Sequence, residues 1–115
     1  MKLRYTPQAI ADIQGIKDYI GDVLHNPVAA GRIAHSILDR CASLKEFPQI
    51  GVSLAAKTGF ETDLRMFVCG QYIALYRIDQ DVDTVSVARI IHARQDYVRI
   101  LLGETGSAEQ EKMSD

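Results

Sequence analysis

The sequence predicts an α+β domain: an N-terminal strand, an antiparallel helical hairpin packed on a C-terminal antiparallel β-meander, and a short closing helix. Three observations predict it. Before Phe47, large apolar residues recur every three or four positions, the period of a helix face. After Asp63 they alternate, the period of a strand. Within the first of these regimes two similar devices, Thr6-Pro7 and Asn26-Pro27, place a capping side chain before a proline, the signature of a helix start. Helices gathered before a run of consecutive strands define the α+β class.

Lys2–Tyr5, KLRY, reads as a short strand. Thr6 then caps a helix with Pro7 at its first position, and Ile10, Ile13, Ile16, Ile20, Val23 and Leu24 form its apolar face. Gly15 weakens this helix by about 0.5–1 kcal/mol relative to Ala, so packing must hold it. Asn26-Pro27 opens a second helix carrying Ala30, Ile33, Ala34, Ile37, Leu38, Cys41 and Leu44, ending near Phe47-Pro48. Its short connection to the first helix favours an antiparallel hairpin, and its small residues Ala29, Ala30, Gly31 and Ala34 admit a close neighbour. Residues 49–62 show no clean period and read as a loop with at most one weak turn or strand. Asp63–Cys69, Tyr72–Ile78 and Thr84–Ile91 follow as three strands joined by Gly70-Gln71 and by the acidic turn 79–83, an antiparallel meander. Val98–Leu102 reads as the last short helix.

The boundaries expected are a folded domain over 1–103 and an acidic, disordered tail over 104–115, poor in large apolar residues. The net charge of −2 comes from that tail, because without it 12 Lys and Arg face 11 Asp and Glu. The folded part is thus near neutral and has no broad basic field for nucleic acid. A hydrophobic fraction of 47% and a charged fraction of 24% are those of an ordinary soluble chain. No apolar run reaches the ~18 residues of a membrane span, and the N-terminus has no signal-peptide core. A cytoplasmic protein with no membrane partner is expected, and Cys41 and Cys69 are expected to be two reduced core thiols.

No zinc spacing, P-loop, GxGxxG, GxSxG or HExxH occurs, so neither metal nor cofactor is expected. The polar residues worth weighing are three strand arginines, Arg65, Arg77 and Arg89, and the cluster His92-Ala93-Arg94-Gln95-Asp96-Tyr97. The plain reading puts the arginines on a water-facing sheet face, with Arg89 paired to a carboxylate, and lets Asp96 cap the last helix. The chemical reading is acid–base work on a phosphodiester. His92 offers an imidazole for proton transfer, Arg65 and Arg94 can grip a phosphate, Tyr97 can stack on a base, and Lys57 adds charge from the preceding loop.

The segments Tyr5-Thr6-Pro7-Gln8-Ala9, Phe47-Pro48-Gln49-Ile50-Gly51, Leu64-Arg65-Met66-Phe67, Tyr72-Ile73-Ala74-Leu75-Tyr76-Arg77 and Ile90-Ile91-His92-Ala93-Arg94-Gln95-Asp96 occur in that order. Together they resemble the RelE/ParE superfamily of toxins from type II toxin–antitoxin pairs, over residues 3–102. The resemblance implies a bacterial cytoplasmic toxin held inactive in a hetero-oligomer with a cognate antitoxin, whose disordered segment folds along it. The ParE-like branch inhibits DNA gyrase by binding. Its H-x-R-x-D loop is matched here, and Arg65, Arg77, Arg89, His92, Arg94 and Tyr97 become candidate target-binding residues. The RelE-like branch cuts messenger RNA on the ribosome with clustered basic residues. On that alternative Arg65, His92, Arg94, Tyr97 and Lys57 are the catalytic candidates. A third possibility is a non-toxic relic that only binds its antitoxin. The sparse basic set favours the ParE-like reading.

Overall fold

The computed structural model describes residues 1–94. Strand β1 (Lys2–Tyr5) leads into α1 (Pro7–Asp18), a π-helical turn (Tyr19–Val23) and α2 (Pro27–Ala42), which ends in a 3-10 turn (Ser43–Lys45). Strand β2 (Val52–Ser53), a short helix α3 (Leu54–Thr58), and strands β3 (Arg65–Cys69), β4 (Tyr72–Asp79) and β5 (Thr84–His92) follow. The expected closing helix, Val98–Leu102, the residues Gln95–Tyr97 and the tail lie outside the described residues.

Both helix starts form as the sequence requires. Thr6 accepts a hydrogen bond from the Ala9 amide and Asn26 one from the Ala29 amide, each at 3.1 Å, with proline at the first helical position. Thr6 also donates its hydroxyl to the Ala88 carbonyl at 2.9 Å, so the cap clips α1 to β5. The first helix is shorter than its apolar stripe. Its regular part stops at Asp18, and the wider π-helical turn carries Ile20 into the core while Val23 and Leu24 remain more than half exposed. Ile10, at the other end of the stripe, is also exposed, and Ala9 is the residue that α1 buries completely.

The sheet has five strands in the order β1-β5-β4-β3-β2. The central β5-β4-β3 meander is antiparallel, as the alternation predicts. Two strands are added at its edges. β1 lies parallel to β5 in the register Lys2↔Thr84 to Tyr5↔Val87, and β2 pairs antiparallel with β3. The two-residue strand and the five-residue helix both come from the segment read as a loop.

The expectation of one water-facing sheet face is corrected by β4. Ile73, Ala74, Leu75 and Tyr76 are consecutive and all buried, which requires cover on both faces. One face packs against the helical hairpin through Ile37, Cys41, Leu44, Phe67, Tyr76, Val85 and Val87. The opposite face is covered by Leu54 of α3 and by Leu64, which pack with Met66, Ile73, Leu75 and Ile91. A segment without periodicity supplies that second layer, because two anchoring leucines and Phe60 suffice to roof a small area.

A second correction concerns β5. The sequence alternation puts Val85, Val87, Arg89 and Ile91 on one face. The pairing with β4 instead shifts after Leu75↔Arg89 to Tyr76↔Val87, leaving Ala88 opposite no residue. Val87 and Ile90 therefore both join the helix-side core while Ile91 joins the other one. A β-bulge of this kind re-aims side chains, and here the re-aimed ones are Ile90 and Ile91, while Arg89 keeps to the helix side with Val87.

Candidate functional site

Arg89 points at α1. Its Nε donates to Asp12 Oδ2 at 2.7 Å and its Nη2 to Asp12 Oδ1 at 3.1 Å, a fork of two charge-assisted bonds. The Ile90 amide donates to the same carboxylate at 3.0 Å. The two side chains are 18% and 11% exposed, so this is an ion pair largely withdrawn from water. The sequence expectation that Arg89 buries its stem and pairs with a carboxylate holds. The partner, 77 residues away on α1, carries no local signal.

Beside this pair lies a cleft of about 730 Å³, open between the helical hairpin and the far ends of β4 and β5. Ile16, Ile20 and Ile33 give it apolar walls; Asp12, Arg89 and His92 give it a polar side. Gly15 of α1 lies along the cleft, where no other atom stands within 4 Å of the place a Cβ would take. Tyr19 and Leu24 stand on its margin with more than half of their surfaces in water. His92 sits edge-on to Tyr72, with ring centroids 5.3 Å apart, and its Nδ1 accepts the Arg94 amide at 3.1 Å. Burial pushes the Tyr72 phenol above its ordinary range, so it stays a neutral hydroxyl.

The other candidate residues do not gather there. Arg65, on the strand at the opposite side of the sheet, donates to the Gln49 carbonyl at 3.0 Å and to the Gly51 carbonyl. The buried Tyr76 hydroxyl works on the same loop, donating to Pro48 O at 2.7 Å and accepting from the Gly51 amide at 3.0 Å. Gly51 is required at this point, because a Cβ would stand 2.4 Å from the Met66 carbonyl and 2.7 Å from that hydroxyl. Arg77 pairs with Asp63 at 3.2 Å on the surface. Lys57 is exposed in the last turn of α3. Tyr97 lies outside the described residues. The site residues drawn from the sequence thus divide: Arg89 and His92 line one cleft, Arg65 serves a loop, and Arg77 and Lys57 stand apart. Asp12 and Tyr72, which sequence reasoning passed over, belong to the cleft. The strand periodicity could have suggested Tyr72, while Asp12 looks like any solvated helix carboxylate.

An N-terminal strand, a helical hairpin and a five-stranded sheet of this order define a fold shared with solved toxin–antitoxin proteins. A chain of the chromosomal ParDE toxin–antitoxin system from P. aeruginosa aligns over 82% of this chain and 97% of its own, at 21% identity and a TM-score of 0.68. A chain of the toxin–antitoxin complex RelBE2 from Mycobacterium tuberculosis aligns over 79% of this chain and 95% of its own, at 23% identity and a TM-score of 0.59. These likenesses establish the fold. The family follows from the sequence: the profile of the ParE toxin of the type II toxin–antitoxin system parDE matches residues 3–97. The chain belongs to the ParE toxin family. No curated protein matches it. Among the described residues, no helix is long and apolar enough to cross a membrane.

Proposed function

We propose that this chain arrests growth by binding DNA gyrase, without chemistry of its own, and that a cognate antitoxin neutralises it in the cytoplasm by occupying the cleft between the helical hairpin and the sheet. The observation that carries the reading is the employment of the strand arginines. Arg65 holds the loop 47–51 through two carbonyls and Arg89 holds α1 through Asp12. A phosphodiesterase would need such cations converging on one scissile phosphate; these serve opposite parts of the fold. The near-neutral charge of the domain agrees with a protein target rather than a polyanion. For the antitoxin, the walls of isoleucine and the exposed Tyr19 and Leu24 suit an amphipathic helix laid in a groove.

Purified toxin added to gyrase is expected to suppress DNA supercoiling, and addition of the antitoxin encoded beside it is expected to restore activity. Unimpaired gyrase at saturating toxin removes this reading. Cleavage of messenger RNA in a translating extract, abolished by Arg94→Ala, transfers the chain to the ribonuclease alternative. Harmless expression in several bacterial hosts leaves only an antitoxin-binding relic.

A further inference from the structure

The last turn of α2 and the end of β3 bring together groups that neither gyrase binding nor the cleft employs. Cys41 is fully buried and Cys69 is 4% exposed, both as free thiols in the helix-side core. Arg40 fixes the two elements side by side: it donates to the Val68 carbonyl at 3.0 Å and its guanidinium lies 4.9 Å from the centre of the Phe67 ring. The residues after Arg40 and after Val68 are the two cysteines. Cys69 Sγ donates to the Phe67 carbonyl at 3.8 Å, and the two neighbouring thiols act on each other: Cys41, with Arg40 as a helping charge, lowers Cys69, while Cys69 and burial push Cys41 strongly up. Tyr5 of β1 packs against the same core, where burial first and the neighbouring Cys41 next push its phenol up.

The cluster also has an entrance. A separate cavity of about 220 Å³ lies between α2 and the β3–β4 turn, and Cys69 is part of its lining with Ser36, Ile37, Gly70 and Gln71. A peroxide is roughly two water molecules in size, at about 30 Å³ each, so the opening is ample for a small oxidant and too small for a macromolecule. Cys41 does not line it. Cys69 thus borders the opening, and Cys41 lies deeper in the same core.

We propose that Cys69 and Cys41 are an oxidisable dithiol, in which a peroxide entering beside the β3–β4 turn converts Cys69 and Cys41 closes a disulfide between β3 and α2. In the first step the Cys69 sulfur bonds to one peroxide oxygen, the O–O bond breaks, and the other oxygen leaves as water, giving a sulfenic acid. In the second the Cys41 sulfur attacks the Cys69 sulfur, and the sulfenic oxygen departs as a second water with the Cys41 proton. Two thiols and one peroxide give one disulfide and two waters. The product fastens the hairpin, which carries one wall of the large cleft, to the sheet.

The 115-residue chain provides the test, because it holds two cysteines and any disulfide within one copy of it must join them. After brief treatment with hydrogen peroxide, alkylation under denaturing conditions and mass analysis, the expected product is a chain lighter by about 2 Da that takes up no alkylating agent and regains both thiols with a dithiol reductant. In Cys41→Ala the oxidation is expected to stop at a Cys69 sulfenic acid, trapped by dimedone. In Cys69→Ala, Cys41 is expected to remain a thiol. Full alkylation of both cysteines after peroxide, disulfides found only between chains, or dimedone labelling of Cys41 in place of Cys69 each overturn the proposal. The wild-type measurement decides the disulfide even if neither variant folds.

Discussion

Arg65 and Arg89 stand in the same sheet and meet the problem of a half-buried cation in opposite ways. Arg89 faces a carboxylate and forms a closed pair with Asp12, which also takes the Ile90 amide. Arg65 faces only dipoles: its Nη2 serves two main-chain carbonyls, and its Nε is buried without a partner. The first arrangement is two charges that must be removed together. The second is one charge whose loss leaves neutral groups behind. The consequences of mutation should differ in size for that reason, although both residues look alike in the sequence.

The largest effect should come from Asp12→Ala. It removes the carboxylate that holds the largely withdrawn Arg89 guanidinium and the Ile90 amide, and equilibrium urea unfolding should show a loss of about 3–5 kcal/mol. Replacing both partners, as Asp12→Leu with Arg89→Met, should recover most of that loss; a double variant as unstable as the single one would mean that the pair contributes more than mutual neutralisation. Gly51→Ala should come next, at about 3 kcal/mol, since its Cβ collides with the Met66 carbonyl and with a tyrosine that cannot retreat from the core. Arg65→Met should cost less, about 1–2 kcal/mol, because it frees two neutral carbonyls, the Gln49 one at the surface, and strands no charge. An Arg65→Met loss equal to that of Asp12→Ala would erase the distinction. The smallest effect belongs to Asp63→Asn. Its exposed pair with Arg77 should contribute under about 1 kcal/mol, fading further at high salt.

The same contrast explains which features the sequence revealed. The helix starts were legible because a capping side chain and its proline are neighbours in the chain. The meander was legible because alternation and the Gly70 turn are local. Asp12 and Arg89 are 77 residues apart, and nothing near either one names the other. The bulge at Ala88 was hidden for a related cause: the alternation of TVSVA breaks only at the adjacent Ile90 and Ile91, and the pairing partner, not the strand itself, decides where the phase slips. Leu54 and Leu64 were hidden because a roof held by two leucines has no period to detect. Arg65 was correctly singled out as unusual in a strand, but its partners are carbonyls, which every residue possesses.

The parallel pairing of β1 with β5 has a temporal consequence. The first strand of the chain pairs with β5, and the helix that follows it takes the partners of its Thr6 cap and of Asp12 from residues 84–92. As the protein is synthesised, Asp12 and the open side of β1 must wait for nearly all of the described chain to be made. Such distant partners make for slow closure. Until β5 arrives, the growing chain has no complete cleft beside α1 and no partner for Asp12, so on the proposed reading its capacity to harm the cell that makes it begins only once that strand has been made.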